Sequence, residues 1–216
     1  MIMNSFSYPL DSPPIQYLCS KDKRLSKVIL SLGDLAYTVH TDSFAFLAHE
    51  IVEQMLSVQA GNKIYSRLVS LCNDTVTPTN LLNLSPEEIK TTGMSYKKVH
   101  CLIDLARDVE NGVIAFDAFP AMTDTEIINT LTHIKGIGSW TSKMYLIFVL
   151  NRLDVLPYED GAFLQSYRWL YNTSDCSHES VKKRCKKWKP YSSLAARYMY
   201  RALDSGMTKS PFHLYK

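Results

Sequence analysis

His133-Ile134-Lys135-Gly136-Ile137-Gly138-Ser139-Trp140-Thr141 is the stretch whose reading decides the fold. Just before it, Thr123-Asp124-Thr125-Glu126 is a helix start, with Thr as N-cap and Glu reaching back to complete a capping box. Ile127, Ile128 and Leu131 follow at helical spacing, so one helix is expected from Asp124 to about His133. A second is expected from about Ser139 to Leu150. Two helices joined by Gly-Ile-Gly make a tight hairpin, in which glycine permits positive φ and close approach of another backbone. The N–H groups of Gly136, Gly138 and Ser139 would then point outward where the second helix begins. A helix N-terminus favours an anion through its amides and its dipole. Nucleic-acid phosphate is the natural ligand, held in a contact that positions without reading sequence. Taken alone, the segment is equally an ordinary helix–helix turn.

The same periodicity extends outward. Phe44, Leu47, Ala48, Ile51, Val52, Met55 and Leu56 fall on one stripe of a helix. Ser85-Pro86-Glu87-Glu88 is another capped start, with Pro in the first turn. Val99, Leu102, Ile103, Ala106 and Val109 mark a helix stopped by Asn111-Gly112. No alternating run is bounded by hairpin turns, and no repeat suggests a solenoid. The expected fold is all-α, built of many short helices. Pro13-Pro14 and Pro157 punctuate the chain, and no Gly/Ser-rich tether divides it. Beyond the hairpin, Arg152-Leu153-Asp154-Val155-Leu156-Pro157-Tyr158-Glu159-Asp160 leads to a helix carrying Phe163, Tyr167 and Leu170. Asp160 is therefore first of all an N-cap candidate.

Composition narrows the class. The chain has 216 residues, 46% hydrophobic and 21% charged, as in an average soluble globular protein, so disordered and collagen-like readings are excluded. That length admits one large core or two smaller lobes. The longest apolar run, Met144 to Leu150, is far short of the roughly 20 residues that cross a bilayer. The opening MIMNSFSYPLDSPP has neither the basic nor the apolar region of a secretory signal. Cys19, Cys72, Cys101, Cys176 and Cys185 are odd in number and form no CxxC, which points to a reducing cytoplasm rather than a disulfide framework. Net charge is only +3, but residues 142–216 hold 13 Lys/Arg against 6 Asp/Glu, and residues 1–141 hold 11 against 15. That asymmetry suggests a face for a polyanion. The densest run, Lys182-Lys183-Arg184-Cys185-Lys186-Lys187-Trp188-Lys189, reads on its own as a solvated helix face.

The run from Leu131 to Thr141, then about 12 residues, then Asp154-Val155-Leu156-Pro157-Tyr158-Glu159-Asp160, resembles the helix-hairpin-helix/Gly-Pro-Asp superfamily of base-excision DNA glycosylases. Within it the pattern is most similar to the 3-methyladenine DNA glycosylase II family, with its G-I-G-x-W-T-A and D-V-F-P-x-D-D. Ile51-Val52-Glu53-Gln54-Met55-Leu56-Ser57 resembles that family's I-V-x-Q-Q-L-S. Leu84 to Glu88, Gly93-Met94-Ser95, Trp188-Lys189-Pro190-Tyr191 and Ala195 to Leu203 match further segments, so the likeness runs from about residue 40 to 205.

The resemblance implies two helical lobes with a catalytic cleft between them. Residues 1–40, too few for the β-sheet domain of some members, would pack with the C-terminal lobe. Residues 41–150 would form a lobe with the hairpin at 131–141, and residues 151–216 a lobe carrying the catalytic aspartate. That aspartate is Asp160, which would stabilise an oxocarbenium-like sugar and orient or deprotonate water. Trp140 stands where bifunctional relatives carry a Schiff-base lysine, which implies a monofunctional enzyme leaving an abasic site. Trp140, Met144 and Tyr200 match base-pocket positions, and aromatic faces suit a cationic alkylated purine. Gly136, Gly138, Ser139 and Thr141 would contact DNA.

Gln59 or Met55 would fill the gap left by the everted base. Gln59 is expected at a helix end that gives way to Gly61, and Met55 alternatively completes the apolar stripe. The carbonyls of Thr132, Ile134 and Gly136 match positions that hold a structural Na+ or K+, and no other cofactor is implied. Glu159, Gly161, Ser192 and Lys143 depart from the family pattern, which bears on substrate range. The implied partner is double-stranded DNA with a damaged base, met by a monomer, with no membrane and a cytoplasmic or nucleoid location. A glycosylase for an oxidised or deaminated purine, and a non-catalytic damaged-DNA-binding module, are the competing readings.

Overall fold

A computed structural model describes residues 4–214. The ends of the terminal segments considered above, residues 1–3 and 215–216, lie outside the described residues. In chain order the elements are β1 (Ser5–Tyr8), α1 (Pro13–Lys21), α2 (Lys23–Leu32), β2 (Leu35–Thr38), α3 (Ser43–Glu53), α4 (Val58–Leu71), α5 (Pro78–Leu82), α6 (Pro86–Lys90), α7 (Tyr96–Glu110), α8 (Asp124–Thr132), α9 (Ser139–Phe148), α10 (Gly161–Tyr171), α11 (His178–Cys185) and α12 (Ser192–Asp204). Three short 3-10 turns complete the described set. Among the described residues no helix is long and apolar enough to cross a membrane. The chain divides into two compact units, Met1–Val39 with Asn151–Lys216, and His40–Leu150.

The unit His40–Leu150 is helical. α3 packs against α4, α7 and α9, while α5 and α6 lie on α7, and α8 on α9. Tyr145 is fully buried, with the rings of Phe46, Phe116 and Phe119 at 6.3, 6.0 and 5.7 Å. Its hydroxyl meets Ser43 Oγ at 2.8 Å, which removes the cost of burying a phenol unpaired. Each such aromatic contributes roughly 1.5–3 kcal/mol by leaving water. Both capping boxes form, Ser85 with Glu88 and Thr123 with Glu126. One expectation fails at the end of α3. The apolar stripe holds from Phe44 to Val52, but the helix stops at Glu53 and leaves Met55 and Leu56 exposed.

The second unit joins the two ends of the chain. α10 packs on α12, and α12 on α2, around Leu18, Leu25, Phe163, Tyr167, Trp188 and Met199. Here the all-helical expectation misses a detail. β1 and β2 pair antiparallel, from Ser5 opposite Thr38 to Tyr8 opposite Leu35. Each strand has four residues and two helices separate them, so no hairpin turn announces the pair. The Arg197 guanidinium lies 3.6 Å from the centre of the Tyr37 ring, and the Tyr37 hydroxyl donates to Asn151 Oδ1 at 2.8 Å.

Candidate functional site

The hairpin forms where the glycines place it. α8 ends at Thr132, Ile134 N–H donates to Leu131 O at 3.2 Å, and Ile137 N–H donates to Ile134 O at 3.0 Å. Gly136 has φ +116°, a region that disfavours any side chain. A Cβ there would also lie 2.9 Å from Cys101 Sγ, so the corner is pressed against α7. Gly138 is exposed, occupies the N-cap of α9, and supplies no capping side chain. The positive end of this helix is therefore not neutralised from within, which is the condition for holding an anion. Ser139 is half-buried in the first turn. Thr141 is 1% exposed, and its Oγ1 accepts from Gln54 Nε2 at 3.3 Å, so it holds the hairpin from inside.

Gln54 links this corner to a second feature. Its Nε2 also donates to Gly136 O at 3.0 Å. The next residue, Met55, has φ +59° and is 101% exposed. A bulky apolar side chain held in solvent on a left-handed backbone requires support from its neighbours. That support is present. Lys98 Nζ donates to Val52 O at 2.7 Å and to Gln54 O at 2.6 Å, closing the carbonyl end of α3. Leu56 N–H donates to Glu53 O at 3.0 Å, and Ser57 caps α4 through Ala60 N–H. Burial lowers the Lys98 pKa from its ordinary value. Gln54 stands in the Ile51–Ser57 segment matched above, where the motif gives it no role, and sequence reasoning passed over Lys98.

Gln59 is placed differently from the expectation. It lies in the first turn of α4, exposed, and not at the end of the preceding helix. Gly61 is buried within α4, where a Cβ would meet Glu53 Cγ at 2.7 Å, so it makes room rather than ending a helix. Trp140 is half-buried in the first turn of α9. Met144, one turn later on the same face, is 4% exposed and belongs to the core side of that helix. Of the three carbonyls considered for a cation, Ile134 O and Gly136 O each accept one hydrogen bond already. A carbonyl oxygen has two acceptor directions, and an all-oxygen donor set suits a hard monovalent ion, so the three remain compatible with one.

Asp160 belongs to the other unit. It is the N-cap of α10, as its sequence position suggests, with an oxygen accepting Phe163 N–H at 2.7 Å. Its own N–H donates to Pro157 O at 3.0 Å, so Pro157 and the helix together fix the carboxylate's direction. Asp160 is largely buried, with 9% of the residue exposed. Gly161 leaves open space beyond it, with nothing within 4 Å of a Cβ. Tyr200, in the last turns of α12, is half-buried.

Comparison with known proteins gives a consistent result. The chain is 30% identical to DNA-3-methyladenine glycosylase 1 of Schizosaccharomyces pombe over 183 residues, 83% of this chain and 80% of that one. The crystal structure of a DNA-3-methyladenine glycosidase from Bacillus halodurans superposes with TM-score 0.85 at 30% identity, covering 97% of each chain. The Schizosaccharomyces pombe 3-methyladenine DNA glycosylase, solved in complex with abasic DNA, gives 0.81 at 27% identity, covering 88% of this chain and 95% of that one. Residues 48–190, a span that holds the Met55 turn, the hairpin and Asp160, match the HhH-GPD superfamily base excision DNA repair protein model, and the chain belongs to that family.

Proposed function

We propose that this protein is a monofunctional DNA glycosylase that removes alkylated bases of the 3-methyladenine type from double-stranded DNA. The observation that carries the reading is Asp160, a largely buried residue whose carboxylate is aimed by Phe163 N–H in the first turn of α10 and whose backbone is tied to Pro157 O. As the bond from C1′ to the base nitrogen breaks, the base leaves with the electron pair and the sugar becomes positive. A fixed carboxylate stabilises that charge and orients the water that attacks C1′. An N-methylated purine is already cationic and leaves as a neutral base, so a strong general acid is not required. Trp140 offers no amine for a Schiff base, which supports water as nucleophile and an abasic site as product.

Unit His40–Leu150 supplies the binding parts. The Gly136–Ser139 corner takes a backbone phosphate, stiffened by a monovalent ion on the Thr132, Ile134 and Gly136 carbonyls. Met55, already outside the core and supported on both sides, fills the stack when the damaged nucleotide turns out. Trp140 and Met144, one turn apart on α9, are assigned to the base pocket. The protein acts as a monomer, and its five free cysteines suit a reducing cytoplasm. The test is release of free methylated bases from alkylated duplex DNA. Wild-type protein is expected to release them, Asp160→Asn is not, and borohydride is expected to trap no covalent adduct. Equal turnover by Asp160→Asn would remove the catalytic assignment, and a trapped adduct would remove the monofunctional one.

A further inference from the structure

The basic run at 182–189 does not act as one face. Lys182 Nζ stands 3.9 Å over the Tyr158 ring, and Lys189 Nζ lies 3.7 Å from Asp154 Oδ2. Arg184 and Lys187 turn elsewhere, to the Tyr171 ring, at 4.9 and 5.4 Å from its centre. There they meet Lys21, Lys23 and Arg24 from the α1–α2 junction, and the five cations line one open hollow with Tyr171. The charges come from two chain segments more than 150 residues apart in the 216-residue sequence. No helical pattern in either segment foretells their meeting.

Asp22 is the carboxylate in the hollow's wall, and it is 2% exposed and fully engaged. It accepts from Arg24 N–H at 3.0 Å, Leu25 N–H at 3.3 Å and Trp188 Nε1 at 3.0 Å, from the Tyr171 hydroxyl, and pairs with Lys187 Nζ at 3.0 Å. Five donors exhaust the roughly four lone-pair sites of a carboxylate. Burial alone would raise its pKa, but the bonds from Tyr171, Lys187 and Trp188 outweigh this and hold it below the usual carboxylate value. Asp22 thus fixes the wall and offsets one charge. Arg24 is spent partly on Leu170 O, at 2.8 Å, and Arg184 also feels Asp175, whose oxygens accept from Ser177 and Ser180. An excess of positive charge remains, arranged around a rigid aromatic floor.

Tyr171 ends α10, and Asp160 caps its start. Eleven residues at 1.5 Å separate them by about 16 Å along the helix. The hollow is therefore not the surroundings of Asp160. We propose that it is a second phosphate-binding site, one that grips the backbone of DNA independently of any damaged base. Guanidinium and ammonium groups converging from two segments suit adjacent phosphates, with Arg184 and Arg24 able to bind oxygens in pairs. The inference rests on the reading above only in taking DNA as the partner.

The test uses undamaged duplex, so its outcome is independent of excision. Binding is measured against salt for the full-length protein, for Lys23→Gln/Arg184→Gln, and for Lys186→Gln/Lys209→Gln. The last pair is exposed, removes the same charge, and leaves the residues lining the hollow intact. Loss of two phosphate contacts should lower the slope of log K against log salt by about 2 in the first variant, with little change in the second. Matching circular dichroism and melting curves establish that both variants are folded. Slopes that coincide for all three proteins would overturn the proposal. It also falls when tripolyphosphate binds in a Lys23- and Arg184-dependent way while the DNA slope is unchanged, for the hollow then serves a small polyphosphate.

Discussion

α9 and α10 begin in opposite ways. α9 starts at Gly138, which has no side chain to offer its amide end, whereas α10 starts at Asp160, which brings its own anion. The backbone physics is the same in both, a row of N–H donors at the positive end of a dipole. One helix leaves that capacity open, and the other uses it to aim a carboxylate. A cap is thus more than a device for stability. Leaving it out keeps the positive end open to an anion, and filling it with aspartate makes a positioned charge.

The largest expected effect comes from altering the charge of the filled cap while keeping its geometry. Asparagine caps helices as well as aspartate does. Asp160→Asn should therefore melt close to wild type while excision of methylated bases falls by about 10²–10³-fold. Both are read on one preparation, by calorimetry and by a base-release assay. Unseating the bare cap comes next. Gly136→Ala places a Cβ 2.9 Å from Cys101 Sγ at φ +116°, and should cost about 1–3 kcal/mol in a denaturant melt.

Converting one start into the other is a sharper probe. Gly138→Asp meets no steric bar, because nothing lies within 4 Å of the new Cβ. It should strengthen the α9 start by a few tenths of a kcal/mol. It should also weaken duplex binding by at least about tenfold, because a carboxylate then faces the phosphate. A rise in affinity would show that the hairpin does not hold an anion. The smallest change in stability belongs to Met55→Ala. The side chain is fully exposed, so stability should move by less than about 0.5 kcal/mol while binding to damaged duplex weakens measurably.

Local chemistry explains which parts of the molecule could be read beforehand. The Ser85 and Thr123 capping boxes, the stop at Asn111 and the α8–α9 hairpin each depend on residues a few places apart, and all formed. Asp160 was legible for the same reason, since its motif and its cap are one contiguous segment. The end of α3 was not. Met55 and Leu56 continue the apolar spacing, and only contacts from Gln54 and Lys98, reaching Gly136 and the last carbonyls, reveal why the chain turns out. The β1–β2 pair and the cationic hollow were hidden likewise, because each joins segments remote in sequence.

The crowding of Gly136 against Cys101 has a chemical corollary. Burial, with Asp104 nearby, pushes the Cys101 thiol up to about 12, so at neutral pH it is almost wholly protonated. A protonated sulfur is a poor nucleophile. The thiol is thereby kept chemically quiet at a point where an added methyl group would have to displace the Gly136 corner of the hairpin.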